Sequence, residues 1–169
     1  MRDAGDAEPA WEARDARSDD FTAVLALNNA AVPNVNYLTR DVLERIAELA
    51  CYFRVFRDAE GLAAFVICMP SGVGYWSGNY EWFAARYASF LYLDRIVVAE
   101  RVRGEGVGTR IYEEMHAFAA TRWPCVALEV NLRPPNPGSV RFHERIGYSR
   151  IGVREYVGGT VAMYVRPTA

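Results

Sequence analysis

The segment Phe90-Leu91-Tyr92-Leu93-Asp94-Arg95-Ile96-Val97-Val98 runs through a short step into Arg103-Gly104-Glu105-Gly106-Val107-Gly108-Thr109-Arg110. The first stretch is apolar and β-branched, bounded by charge, and reads as a strand. The second opens a helix whose apolar stripe is Val107, Ile111, Met115 and Phe118. Trp123-Pro124 ends that helix, and Cys125 to Val130 reads as another buried strand. Strand, helix and strand in that order bring two strands side by side in parallel, with the helix packed on the sheet. Three glycines at alternate positions let a ligand approach the backbone with no Cβ in the way. The unpaired N–H groups and positive dipole of the helix start favour a phosphate or pyrophosphate there. Arg103 and Arg110 add charge nearby.

Spacing excludes two common phosphate loops. A Walker loop ends in Gly-Lys-Ser/Thr, which is absent. A Rossmann fingerprint has GxGxxG after the first strand of the unit, whereas here the spacing is GxGxG and the strand is late in the chain.

The remaining pattern gives the order β-α-α-β-β-(α)-β-α-β-α-β-β. Trp11 to Ala16 is a candidate first strand, and Ser18-Asp19-Asp20 caps a helix carrying Phe21, Val24, Leu25 and Asn28. Thr39-Arg40-Asp41 opens a second helix, with Val42, Leu43, Ile46 and Leu49 on one side. Tyr52 to Arg57 and Leu62 to Met69 form a hairpin. Asn79 to Tyr87 is a short helix after a loop with glycines at 72, 74 and 78, which suggests a mobile lid. A Pro-rich loop, Leu132 to Pro137, leads into a helix from Gly138 to Ile146, with Gly147 as its left-handed stop. Tyr148 to Tyr156 and Thr160 to Arg166 flank Gly158-Gly159 as a tight hairpin. The expected class is α/β in the α+β sense: a mixed, mostly antiparallel central sheet flanked by helices. Residues 1–8 read as a disordered tail and 9–169 as a single domain.

The 169 residues carry 19 basic and 21 acidic side chains. That balance argues against non-specific nucleic-acid binding, which needs clustered positive charge. No apolar run approaches the ~20 residues of a membrane span, and the N-terminus lacks a signal-peptide core. Cys51, Cys68 and Cys125 are far apart and sit in apolar strings, reading as reduced thiols of a cytoplasmic protein. No CxxC occurs and His116 and His143 are unpaired, so no metal site is expected.

Arg103, Gly106 and Gly108, read as Arg-x-x-Gly-x-Gly, resemble motif A of the GCN5-related N-acetyltransferases. Asn136-Pro137-Gly138-Ser139-Val140-Arg141-Phe142-His143-Glu144-Arg145-Ile146-Gly147-Tyr148 resembles that family's second signature. The resemblance implies a fold in which two central strands splay apart to admit an acyl-coenzyme A, here Phe90 to Val98 and Cys125 to Val130. It implies that backbone N–H groups of Arg103, Gly104, Glu105, Gly106, Val107, Gly108 and Thr109 hold the pyrophosphate. Ile96, Val97 and Val98 would pair with the pantetheine arm, and Asn136, with Ser139 and Asn131, would line the cofactor cleft. Acetyl-CoA, or another short acyl-CoA, would be the cosubstrate.

The implied reaction is direct attack of an amine on a thioester. An alkylammonium cannot attack, so a base or water chain removes its proton. Asp94 stands near the position where the family often has a carboxylate, and is the first candidate; Glu129 on the neighbouring strand is the second. The competing reading of Asp94 is a structural pair with Arg95 or another arginine. At His143 the family usually has a tyrosine acting as acid near the sulfur. A histidine can replace it, or can simply pack. His116 reads as structural or surface.

Tyr37, Tyr75, Trp76 and Glu81 are candidates for acceptor binding, since aromatics with a carboxylate suit a small cation. The expected activity is N-acetyl transfer to a small-molecule primary amine. Protein or peptide amino groups are the alternative acceptor, and a non-catalytic acyl-CoA-binding regulatory domain is the alternative class. The last hairpin offers an edge strand, compatible with a homodimer.

Overall fold

The computed structural model describes residues 11–169. The tail expected at residues 1–8 lies outside the described residues. The strands are β1 (Glu12–Asp15), β2 (Tyr52–Asp58), β3 (Gly61–Pro70), β4 (Leu91–Val98), β5 (Cys125–Arg133), β6 (Ser149–Tyr156) and β7 (Gly159–Pro167). The helices are α1 (Phe21–Ala30), α2 (Arg40–Leu49), α3 (Gly78–Ala84), α4 (Val107–Ala120) and α5 (Pro137–Arg145). The strands form one seven-stranded sheet in the order β1-β2-β3-β4-β5-β7-β6. Every neighbouring pair is antiparallel except β4 with β5. The expected mixed, mostly antiparallel sheet is therefore present.

Helices cover both faces. On one, α1, α2 and α3 place Val24, Leu43, Ile46 and Phe83 against Phe65, Ile67 and Tyr92. On the other, α4 packs Ile111, Tyr112 and Met115 against Val66, Leu93 and Leu128. Strand β3 is fully buried from Ala63 to Met69, which explains its continuous apolar run: both its faces meet helices.

Local chemistry accounts for most boundaries. Asn136 caps α5, its side chain accepting from Ser139 N, and Pro137 sits where a missing N–H costs nothing. Gly147 closes α5 at φ +96°, with Gly147 N bonded to Glu144 O and Tyr148 N to His143 O. Several boundaries differ from expectation, among them α3, expected over Asn79 to Tyr87 and ending at Ala84. Strand β5 continues to Arg133, because β7 pairs with it across a bulge at Leu132. The last turn is Val157-Gly158, one residue early, with Tyr156 opposite Gly159 and Gly158 at φ +102°. The segment expected to be a lid is stapled: Val73 N donates to Tyr80 Oη, and Tyr80 Oη donates to Pro70 O.

The two central strands barely meet. Leu91 pairs with Val126 and Tyr92 with Ala127, and the pairing stops there. β4 also bulges: Ile67 lies opposite Arg95 and Cys68 opposite Leu93, leaving Asp94 as the extra residue. Without the bulge, Asp94 and Arg95 would point to opposite faces. With it, both reach the α1–α3 face.

β1 is held to the start of α1 by Asp20, which is buried and accepts from Arg14 Nη1 and Nη2 at 2.7 and 2.8 Å and from Arg17 N at 2.8 Å. The Arg14 guanidinium holds the Asp20 carboxyl below its ordinary range. The stabilisation is thus present above about pH 4, the unfolded value, and lost as pH falls through the lower folded value. We expect Asp20→Ala to cost on the order of 3 kcal/mol at pH 7, with the deficit shrinking in acid; urea unfolding at both pH values measures this.

Candidate active site

Beyond Tyr92, β4 and β5 diverge around a cleft of about 870 Å³. The cleft brings together Asp94, Ile96, Val97, Val98, Arg103, Glu129, Asn131, Asn136, Ser139 and His143, with Tyr37, Tyr75 and Trp76 on its acceptor side. Two groups of expected residues stand elsewhere. Glu81 is exposed on α3 and does not line the cleft. Gly104, Glu105, Gly106, Val107, Gly108 and Thr109 lie beyond its end, at the start of α4.

That loop takes the conformation its glycines permit. Gly104 (φ +82°) and Gly106 (φ +79°) are left-handed, and Gly106 is the N-cap of α4. Gly108 has no such backbone requirement, and an added Cβ there meets nothing within 4 Å. No packing inside the described residues therefore demands glycine at 108. Arg103 Nε donates to Val98 O, tying the loop to the end of β4.

Three groups of polar side chains line the walls. The first is Asp94. It accepts from Tyr75 Oη at 2.6 Å and pairs with Arg95 Nε at 3.0 Å. Arg95 also donates to Asn28 Oδ1 and Asn36 O. Asp94 is thus bound into a structural network that joins β4 to α1.

The second is Glu129. Strand alternation on β5 turns it to the same face, where Tyr92 Oη donates at 2.9 and 2.8 Å to its two oxygens. Burial pushes its acid up to about 7. Asp94 nearby raises it further, while hydrogen bonds from Tyr92 and Asn79 pull the other way. Removing a carboxylate from water disfavours its charged form, and Tyr92 offers a dipole, not a cation, in return.

The third is His143, buried on the α4–α5 side. Its Nδ1 lies 2.7 Å from the Ser139 carbonyl oxygen, so Nδ1 carries the proton and donates. Nε2 then accepts from Tyr112 Oη at 2.6 Å. Burial lowers the ring's pKa, which favours the neutral form. In this arrangement neither nitrogen has a proton free for the cleft. His116 is half-buried and Nε2 lies 2.7 Å from Tyr148 Oη, a structural contact.

Against this geometry, the family model described as acetyltransferase (GNAT) family matches residues 21–148. The chain belongs to that family. A search of curated protein sequences found no match. Among solved structures, Ard1 from Thermoplasma volcanium is similar at TM-score 0.76 and 16% identity, over 94% of this chain and 97% of that one. The ribosomal-protein-S18-alanine N-acetyltransferase from Escherichia coli is similar at TM-score 0.72 and 14% identity, over 94% of each chain. A putative phosphinothricin N-acetyltransferase is similar at TM-score 0.70 and 20% identity, over 95% and 99%. At these identities the likeness is one of fold. No helix among the described residues is long and apolar enough to cross a membrane.

The cleft contains three residues that sequence reasoning missed. Tyr112 lies on α4 one position after Ile111, outside the stripe that spacing picked out, yet it is buried and holds His143. Asn79 and Arg154 come from α3 and β6 and meet at 2.8 Å across 75 residues of chain. No local signal marks such a pair.

Two measurements check these assignments. The nitrogen shifts of His143 in heteronuclear NMR should report the neutral Nδ1–H tautomer at pH 8; the Nε2–H tautomer there would contradict the Ser139 and Tyr112 geometry. Gly108→Val should weaken acetyl-CoA binding, measured by calorimetry, by about tenfold or more while the unfolding temperature changes little.

Proposed function

We propose that this GNAT protein transfers an acetyl group from acetyl-CoA to a primary amine of a small molecule, with Glu129 taking the amine's proton. The observation that carries this reading is Glu129 itself: a carboxyl group on the cleft wall, where the central strands part, whose acid is pushed up to about 7. A base works best when its pKa lies near the operating pH. Asp94, the residue expected first from sequence, is engaged by Arg95 and Tyr75, which supports a positioning role for it.

The cleft fits the cosubstrate. The glycine loop offers the α4 N–H groups, and Gly108 leaves open space that no side chain of the described residues fills. The β5-facing edge of Ile96–Val98 lies past the last β4–β5 pair, so it can bond to amides of an extended ligand. Acetyl-CoA supplies the thioester acyl group. Arg103 and the loop hold its diphosphate, while Asn131, Asn136 and Ser139 stand along the opposite wall.

The protein's own steps follow from the two walls. The acceptor enters from the α1–α3 side as an ammonium. Glu129, ionised above pH 7, would accept its proton and leave a lone pair to attack the thioester carbonyl; the C–N bond would form as the C–S bond breaks, and coenzyme A would leave as a thiolate that takes a proton from solvent. Tyr92 keeps the carboxylate oriented through both oxygens. On the cofactor side, His143 serves as a positioning residue that holds Tyr112, in place of the acid role expected for it. The amine itself is bounded by the aromatic rings of Tyr37, Trp76 and Tyr75.

The test is kinetic, with acetyl-CoA and a panel of small amines followed by thiol release. Wild-type kcat/KM should rise through an inflection near pH 7 as Glu129 loses its proton. Glu129→Gln should lower kcat by about 10²–10⁴-fold and erase that inflection. The same substitution has an opposite effect on stability. A carboxyl group whose folded pKa is raised holds its proton more tightly when folded, so folding weakens as pH rises from about 4.5 to about 7. Glu129→Gln should therefore unfold at a higher temperature than wild type at pH 8, with the advantage fading in acid. Full turnover by the variant would remove Glu129 as base.

A further inference from the structure

Arg154 stands on β6, opposite Val161 of β7, which in turn lies opposite Asn131 of β5. Its side chain crosses to the α1–α3 face and lines the acceptor side of the cleft. Nη1 donates to Asn79 Oδ1 at 2.8 Å, and the guanidinium lies 5.6 Å from the Tyr156 ring centre. Gly78 makes room for it: a Cβ there would run into Nη2. Among the described residues no carboxylate forms an ion pair with Arg154. The other cations of the cleft are differently placed. Arg95 is neutralised by Asp94, and Arg103 is tied to the end of β4 beside the glycine loop.

Asn79 connects this cation to the base. Its Oδ1 accepts from Arg154, while its amide supports the charged form of Glu129. The cleft therefore presents the Glu129 carboxylate together with a guanidinium held by Asn79. A half-buried guanidinium without a counter-ion is a recognition element for a planar anion, which it binds with two parallel N–H donors. One guanidinium without a paired carboxylate matches one negative charge.

We propose that the acceptor amine carries a carboxylate within a few bonds of its nitrogen, as a free α-amino acid does, and that Arg154 binds that carboxylate while Glu129 receives the amine. This rests on the acetyl-transfer reading above. The amine and carboxylate of the ligand are the charge complement of Glu129 and Arg154, which line the same cleft. Gly78 is then a positioning residue, since its missing side chain is what lets the guanidinium reach Asn79.

The test compares free amino acids with their carboxamides, and with tripeptides carrying aspartate or asparagine at the second position. Acetyl transfer is followed by thiol release. The acids should exceed their carboxamides in kcat/KM by about tenfold to a hundredfold, the worth of a charge-assisted pair. Arg154→Gln should abolish that preference, chiefly through KM, and Arg154→Lys should restore part of it. Gly78→Ala should raise KM for the acids with the charge still present. Carboxamides or tripeptides accepted as well as the acids would overturn the proposal, as would an Arg154→Gln enzyme that keeps the preference. Calorimetric titration of the same amino acids into CoA-saturated protein supplies an arm independent of turnover. Arg154-dependent binding without acetyl transfer would sink the transferase reading and leave the carboxylate site standing. Absence of such binding would sink the site.

Discussion

Two residue pairs of parallel sheet, Leu91 with Val126 and Tyr92 with Ala127, are all that join the halves of the sheet. Past them the facing edges of β4 and β5 carry backbone groups without a strand partner, inside a sheet covered on both faces by helices. Open backbone edges in such a place are costly unless something pairs with them. The separation is held by the elements on either side: β4 by its antiparallel contact with β3 up to Val98, and β5 by its contact with β7 up to Arg133. Every candidate catalytic and cofactor-contacting residue other than the glycine loop lines the resulting cleft. The loop stands at its end, tied there by Arg103 and Val98.

The same divergence separates two chemistries. The α1–α3 face carries carboxylates, Asp94 and Glu129, in very different surroundings. A β-bulge sets Asp94 beside Arg95, so its charge is compensated. Glu129 sits on a regular strand and faces a tyrosine, so burial controls its acidity. The opposite face carries neutral hydrogen-bonded rings, Tyr112, His143, His116 and Tyr148. The transfer proposed above, with proton removal from an amine on one side and a long cosubstrate held on the other, asks for these opposite environments. The thin junction between β4 and β5 lets one cleft touch both.

Much of the frame was legible from local pattern. The strand–glycine–helix run, the caps at Asn136 and Gly147, and the amphipathic faces of α1 and α2 are all short-range signals, and each lies within a few residues of the expected place. The misjudged details depend on contacts between distant segments. β5 runs on into the first two residues of the Pro-rich stretch because β7 pairs with it. The glycines before α3 signalled mobility, but Tyr80 and Tyr75 pin that segment to Pro70 and Asp94. Glu81 looked like part of an acceptor site, yet the helix turns it to solvent and presents Asn79 to the cleft instead.

By itself the sequence determined the family-level architecture and the place of the glycine loop before α4. Both follow from residue spacing along the chain: the periodicity of strand and helix, and glycines where the backbone must turn left-handed. Only the tertiary structure decided which carboxylate pairs with an arginine, what holds His143, and that Arg154 lines the cleft. Those outcomes depend on which residues meet across the sheet. A bulge of one residue in β4 commits Asp94 to Arg95, and a β6 arginine reaches α3 only because the hairpin folds back beside β5. Charge and burial at a site are sums over such neighbours, and no window of sequence contains them.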